Sequence, residues 1–360
     1  MRNQATTVTA SIALSMIFIF GCDNFETNKR GSWEHYSAGG MLPVGTPALT
    51  DERHLYFVSG ATGHGDVYSY ELTSSHLNRI TANAAFEGNP VPASGNNKLY
   101  FSRESNGRAT VFALDINSGN QWQVTKGAND EEPIAILKND SFLLSLRKQS
   151  QWGGHGQIGS FWLYSLSTAK TNPRRVGDYA VSNSIGTHVV ALDDNELWLL
   201  YGEDFENKTP ILAPFSGVPM TISNTGTILV LAKRSTGVKW ELDSELYLFN
   251  LESKSIEAIG KGHSAVIDPI GAYIVFLSGY DNLVTAYETA TRKSTTIWVE
   301  ASNKSNLRLA ANGNSIVFAS IKDNRAENYV IYEVPFDSLQ PKRIFEVNSD
   351  AICKEFATRK

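Results

Sequence analysis

Cysteine is nearly absent. Cys22 and Cys353 are the only two in 360 residues, too few for a disulfide framework, so the fold must rest on its hydrophobic core. Charge is scarce as well: charged residues make up 19% of the chain against 42% apolar ones, and the net charge is −5 with no long basic run. That balance argues for a buried core and excludes nucleic acid as a partner, because neutralising phosphates takes a clustered Lys/Arg surface. No segment beyond the N-terminal region reaches the 18 or so consecutive apolar residues of a bilayer span. Also missing are a Gly-x-Ser-x-Gly elbow, any metal-ligand spacing and any motif-level nucleophile, so no catalytic residue, metal or cofactor is assigned.

The N-terminus holds a short apolar run. Arg2 precedes Ile12-Ala13-Leu14-Ser15-Met16-Ile17-Phe18-Ile19-Phe20, which has signal-peptide length and is too short to span a bilayer. Ile19-Phe20-Gly21-Cys22 resembles the bacterial lipobox, in which a small residue precedes the cysteine that is lipidated and becomes the mature N-terminus. The resemblance implies a signal peptide over 1–21, a lipid on Cys22, and Cys353 left as a bystander thiol without a partner. An uncleaved anchor and an ordinary signal peptide with a chance cysteine are the competing readings. Asp23-Asn24 resembles the signal that retains enterobacterial lipoproteins in the inner membrane. A periplasm-facing, membrane-anchored protein of the bacterial envelope is expected, at the inner membrane first and the outer membrane second. Residues 22–44 read as the tether; about twenty flexible residues give a reach of roughly 25 Å.

Beyond the tether the sequence repeats. Leu55-Tyr56-Phe57-Val58-Ser59 is answered by apolar runs at 99–103, 142–146, 189–192, 228–232, 274–278 and 316–320. Their mean spacing is about 43.5 residues, inside the roughly 40–50 residues of a propeller blade. A second run follows each first one, at 67–72, 111–116, 161–166, 197–202, 246–251, 284–289 and 331–336. Its second column reads Tyr68, Phe112, Trp162, Trp198, Tyr247 and Tyr332, with Thr285 in unit six, and is taken as core between neighbouring units. The repeats predict an all-β fold: a β-propeller of seven four-stranded antiparallel blades over 45–346, or six if unit four is an embellishment. Residues 347–360 form a C-terminal tail or a closing strand; Trp33–Ala38 and Ala351–Phe356 are both candidates for an added outer strand.

Unit two, "EGNPVPASGNNKLYFSRESNGRATVFALDINSGNQWQVT" over 87–125, resembles the repeat of TolB-type propellers: a proline-bearing inner strand, an aliphatic strand, a glycine hairpin, a third strand ending in Asp, then a fourth. The resemblance runs through most of 45–346 and is weakest in unit four. It implies a propeller that presents a binding surface. The α/β domain that TolB carries before its propeller has no counterpart between Cys22 and unit one, so TolB's partner-binding residues are not carried over. The hydrolase domain of prolyl oligopeptidase relatives has none either.

Glycine-rich GATGHG (60–65) and WGGHG (152–156) fall between the second and third strands of units one and three, as hairpin loops where glycine supplies φ > 0. No helical periodicity follows them, so they are not phosphate loops. Such loops share a rim with the connections between blades. A candidate binding rim therefore gathers His64, Glu87, Asp130, Glu131, Glu132, Trp152, His155 and His263. The blander reading is a set of solvated loop residues. An acidic, histidine-bearing mouth favours a basic or neutral partner: an envelope protein, a peptide terminus entering the pore, or a glycan. The expected function is a non-enzymatic binding or scaffolding module, acting as a monomer; the alternative is a lyase- or hydrolase-type enzyme with its site at the central pore.

Overall fold

The computed structural model describes residues 47–357 apart from short segments, the longer ones being 150–157, 167–172, 234–243 and 322–327. Seven four-stranded antiparallel sheets follow one another along the chain, at 48–79, 87–123, 130–177, 179–211, 217–261, 263–298 and 308–347, as the blades of a propeller. Unit four is thus a full blade, and the six-bladed alternative is excluded. Its middle hairpin turns through Asp194 and Asn195, both at positive φ, while Asp193 pairs with Glu196. A two-residue turn of that kind matches the twist of its strands.

Burial explains the strand sequences. Second strands lie between neighbouring blades and are apolar on both faces: Leu55 to Val58, Val189 to Leu192 and all of Ser315–Ile321 are buried. Fourth strands face outward: Gln121 and Gln123 flank an exposed Trp122, and Asn207 to Thr209 are exposed and polar, which blunts the sheet edge against aggregation. Inner strands carry Pro90, Pro133 and Pro219, each beside a register shift. Proline has no N–H for the ladder, so it is tolerated at such bulges on an edge strand.

The aromatic column is core in blade one only: Phe112, Trp162, Trp198, Tyr247 and Tyr332 are part-buried, and the stacks it makes run across the ladder of its own blade. Tyr68 is fully buried and stacked on Phe57, Phe112 on Phe101, and Tyr332 on Phe318. Thr285 instead hydrogen-bonds Ser278 Oγ.

Among the described residues no strand is exchanged between the first and last blades, each being built from one continuous segment. Blade seven closes on blade one by packing Val317, Tyr329 and Ile331 against Leu49, Phe57 and Tyr68. Tyr329 Oη donates to the carbonyl of Val58 at 2.5 Å, and Arg53 grips Glu333 through two hydrogen bonds of 2.7 and 2.9 Å.

The C-terminal tail carries a helix where a closing strand was the alternative expectation. Helix α1, Ser349–Ala357, covers the junction with Ile352 buried and Phe356 edge-on to Tyr68. Asn348 caps it, its Oδ1 accepting from the amide of Ala351 at 3.1 Å, with Asp350 in the first turn and Lys354 in the last. Cys353, on this helix, is buried. Trp33–Ala38 and the whole of 1–44 lie outside the described residues.

Candidate functional site

The four acids assigned to rim loops stand on inner strands instead, Glu87 opening Glu87–Pro92 and Asp130, Glu131 and Glu132 opening Asp130–Leu137. Pairing across the ladder explains why. Glu87 lies opposite Arg103 and Glu131 opposite Arg147, so each carboxylate meets a guanidinium on the adjacent strand. Arg103 Nε is 2.8 Å from Glu87 Oε1, and Arg147 Nε is 2.7 Å from Glu131 Oε1. Tyr164 Oη adds a 2.6 Å hydrogen bond to Glu131. Each guanidinium also lies over an aromatic of the repeat column, Arg103 over Phe112 at 4.3 Å and Arg147 over Trp162 at 3.9 Å. Glu87 and Glu131 are fully buried, and in each the second oxygen has no hydrogen-bond partner.

Glu132 is buried with Lys148, whose Nζ lies 2.6 Å away, and accepts from Asn89 of blade two at 3.0 Å. Burial pushes the Glu132 carboxyl above its ordinary value, with Lys148 pulling the other way. Asp130 accepts from the amide of Ala109, tying blade three to blade two. Of the four acids expected to form an acidic mouth, Glu87, Glu131 and Glu132 are thus each paired with a base of their own blade, and Asp130 is held by a backbone amide of blade two. Arg103, Arg147 and Lys148 were missed by the sequence reading because each lies about 16 residues from its partner, a distance that only strand register converts into contact.

His263 opens the inner strand of blade six and is buried, with Nε2 2.8 Å from Asn282 Oδ1. Burial pushes its imidazole below the ordinary value, partly offset by the hydrogen bond to Asn282. His64, Trp152 and His155 lie outside the described residues, as does Cys22. Gly65, at the end of the GATGHG loop, has a packing reason: a Cβ there would stand 2.0 Å from the Phe86 ring.

Among the described residues, one group of carboxylates is close enough to share an ion: Asp178, Asp193 and Asp194. Arg175 already occupies it, at 2.6 Å from Asp178 and 2.5 Å from Asp193. Two surface clefts, of about 290 and 330 Å³, lie at the blade one/seven and blade six/seven junctions. The first runs beside α1, between His76 and Glu355; the second is lined by Tyr273, Lys293 and Leu339.

One basic residue in the channel wall departs from the pattern of pairs. Arg308 is on the inner strand of blade seven, partly buried, and its Nη1 donates to the carbonyl of Pro90 in blade two at 2.7 Å. Burial pushes the guanidinium down to about 10. The sequence carried a signal for it: equivalent inner-strand positions hold Ala48, Val91, Thr221 and Val266, set by their partners on the second strand.

No family model and no curated protein matches the sequence, whereas solved structures share its fold. TolB from Acinetobacter baumannii is 12% identical over 84% of this chain and 64% of that one, with a TM-score of 0.50. An oligogalacturonate lyase in complex with manganese is 13% identical over 81% and 89%, with a TM-score of 0.57. The β-propeller domain of the Trilobed protease from Pyrococcus furiosus, described by an open velcro topology, is 10% identical over 87% and 98%, with a TM-score of 0.60. The chain thus has the fold of the TolB-like β-propellers, in a seven-bladed form. It spans 64% of TolB's own length.

Proposed function

We propose that this chain is a lipid-anchored β-propeller of the bacterial cell envelope that binds an envelope protein, peptide or glycan without transforming it. The observation that carries the binding half is the state of the charged residues at the inner-strand ends. Glu87, Glu131 and Glu132 are each locked to a base of their own blade. Groups held this way build a rigid, preorganised mouth and leave no acid among them free to shuttle protons. The alternative, an enzyme with its site at the pore, is favoured by one finding: the lyase, matched over 89% of its length, is a propeller of nearly the same extent. Cross-linking the anchored protein in intact cells and recovering a stoichiometric partner supports the binding reading. Turnover of oligogalacturonate or of a proline-containing peptide by the purified chain would replace it.

The anchor rests on Arg2, the apolar run and Cys22, and among the described residues no helix is long and apolar enough to cross a membrane. With two cysteines in the chain, a thioether lipid on Cys22 and a disulfide between Cys22 and Cys353 exclude one another. Metabolic labelling with a palmitate analogue separates them. Wild type and Cys353→Ser should label and Cys22→Ser should not. A Cys22→Ser chain that still labels, or a wild-type chain that runs faster without reductant and takes no label, sinks the anchor.

A further inference from the structure

Arg53, Arg79, Arg103 and Arg147 are all part-buried, and each answers a carboxylate at 2.7–2.8 Å. Arg308 answers none among the described residues. It stands on the inner strand of the last blade, in a register column that is small or apolar in blades one, two, five and six. From there it reaches past blade one, whose inner strand is only Ala48–Leu49, to the inner strand of blade two. Inner strands line the central channel of a propeller, so the guanidinium lies along the channel wall.

Its contact is shaped by a bulge. Gly88 pairs with Ser102 and Val91 with Tyr100, which leaves Asn89 and Pro90 together opposite Phe101. Asn89 sits at a φ of 47° and turns its side chain to Glu132, while the Pro90 carbonyl takes Arg308 Nη1. That one bond orients the guanidinium and leaves its other edge, Nε and Nη2, without a protein acceptor among the described residues. Two parallel N–H groups on one edge match the two oxygens of a carboxylate. A part-buried cation with no internal counter-charge also gains more from an incoming anion than an exposed one does.

We propose that Arg308 is the anchor of a carboxylate-binding site in the channel, taking the free carboxylate of a small acid or of a peptide terminus side-on through Nε and Nη2. A monoanion suits the site better than a dianion. It offers one positive charge, and the neighbouring Glu132 is already paired with Lys148, so no second cation of that wall is left to balance a dianion. The proposal rests on the binding-module reading and gives that reading its recognised group.

The test uses the full chain in detergent and four probes in titration calorimetry: an acetylated tripeptide with a free C-terminus, its C-terminal amide, acetate and inorganic phosphate. The free-acid peptide should bind at least about tenfold more tightly than the amide, and more tightly than phosphate. Acetate binding as well as the peptide would assign the site to small acids, and weaker acetate binding to peptide termini; both keep the carboxylate. Arg308→Gln should erase the acid-over-amide preference, and Arg308→Lys should retain only part of it, since an ammonium has no bidentate edge. The wild-type comparison of acid and amide needs no variant, so it stands even if Arg308→Gln folds poorly. Equal affinity for acid and amide, no binding of either at about 1 mM, or a preference for phosphate overturns the proposal. A chain that prefers the acid but cross-links to no partner keeps this site and loses the scaffolding reading; a partner recovered equally by Arg308→Gln does the reverse.

Discussion

Glu131, itself without solvent exposure, takes Arg147 Nε at 2.7 Å and the hydroxyl of Tyr164 at 2.6 Å on the same oxygen. Removing one member of such a group strands the others. Glu131→Ala is expected to cost about 3 kcal/mol in urea unfolding, because Arg147 and Tyr164 lose their acceptor together. Replacing all three by Leu, Met and Phe should recover most of that loss, since a buried ion pair is often no better than a well-packed apolar one. A triple variant as unstable as the single one would mean that the site is rigid for some other reason. The same residue shows the limit of the sequence. ANDEEP reads as a run of loop charge, and nothing within it says that Glu131 faces Arg147 rather than water. Burial and partner are set by register, which depends on where the bulge beside Pro133 falls. Arg308 was legible in principle, as a base in a column where other units hold Ala, Val or Thr, but only once the units were aligned on their inner strands.

Strands were far more legible than side-chain partners. All fourteen aliphatic and aromatic runs read from the sequence are second and third strands of blades, because a strand covered on both faces must be apolar along its length and the pattern repeats seven times. Helix α1 escaped the reading because nine residues carry little periodicity and the preceding units all end in a strand. Its signals were nevertheless present: Asn348 as a cap, Asp350 in the first turn, and the pair Ile352 and Phe356 one turn apart. If α1 seals the blade one/seven junction, Asn348→Ala should lower stability by about 1 kcal/mol and Ile352→Ala by about 2–3 kcal/mol. Chemical denaturation measures both. Near-zero values for both variants would make the helix an ornament rather than a seal.

At the scale of the molecule, closure is the weak point of this ring, because among the described residues no shared strand staples blade seven to blade one. Apolar packing, the Tyr329–Val58 hydrogen bond and the Arg53–Glu333 pair take that role. The pair gives closure a pH dependence. Burial alone would raise the Glu333 carboxyl, but hydrogen bonds from Arg53 and Ser315 outweigh it and hold the group below its ordinary value near 4.5. A carboxyl whose folded pKa is depressed stabilises the fold above the unfolded pKa and loses that contribution as pH falls through the folded one. Glu132 has the opposite sign: raised by burial, it contributes below its unfolded value and loses that contribution as pH rises through its folded one. Acidification below about pH 4.5 should therefore loosen the blade one/seven junction while relieving strain in blade three. Hydrogen exchange resolves the two regions. Amides of Leu55 to Val58 and Tyr329 to Val334 should lose protection at a higher pH than those of Leu143 and Leu144. Glu333→Gln should remove this acid step and cost about 1–2 kcal/mol at neutral pH, a modest figure because Arg53 keeps a third of its side chain in solvent. Loss of protection in both regions at one pH, with Glu333→Gln following the wild-type curve, would show that closure is held by packing alone.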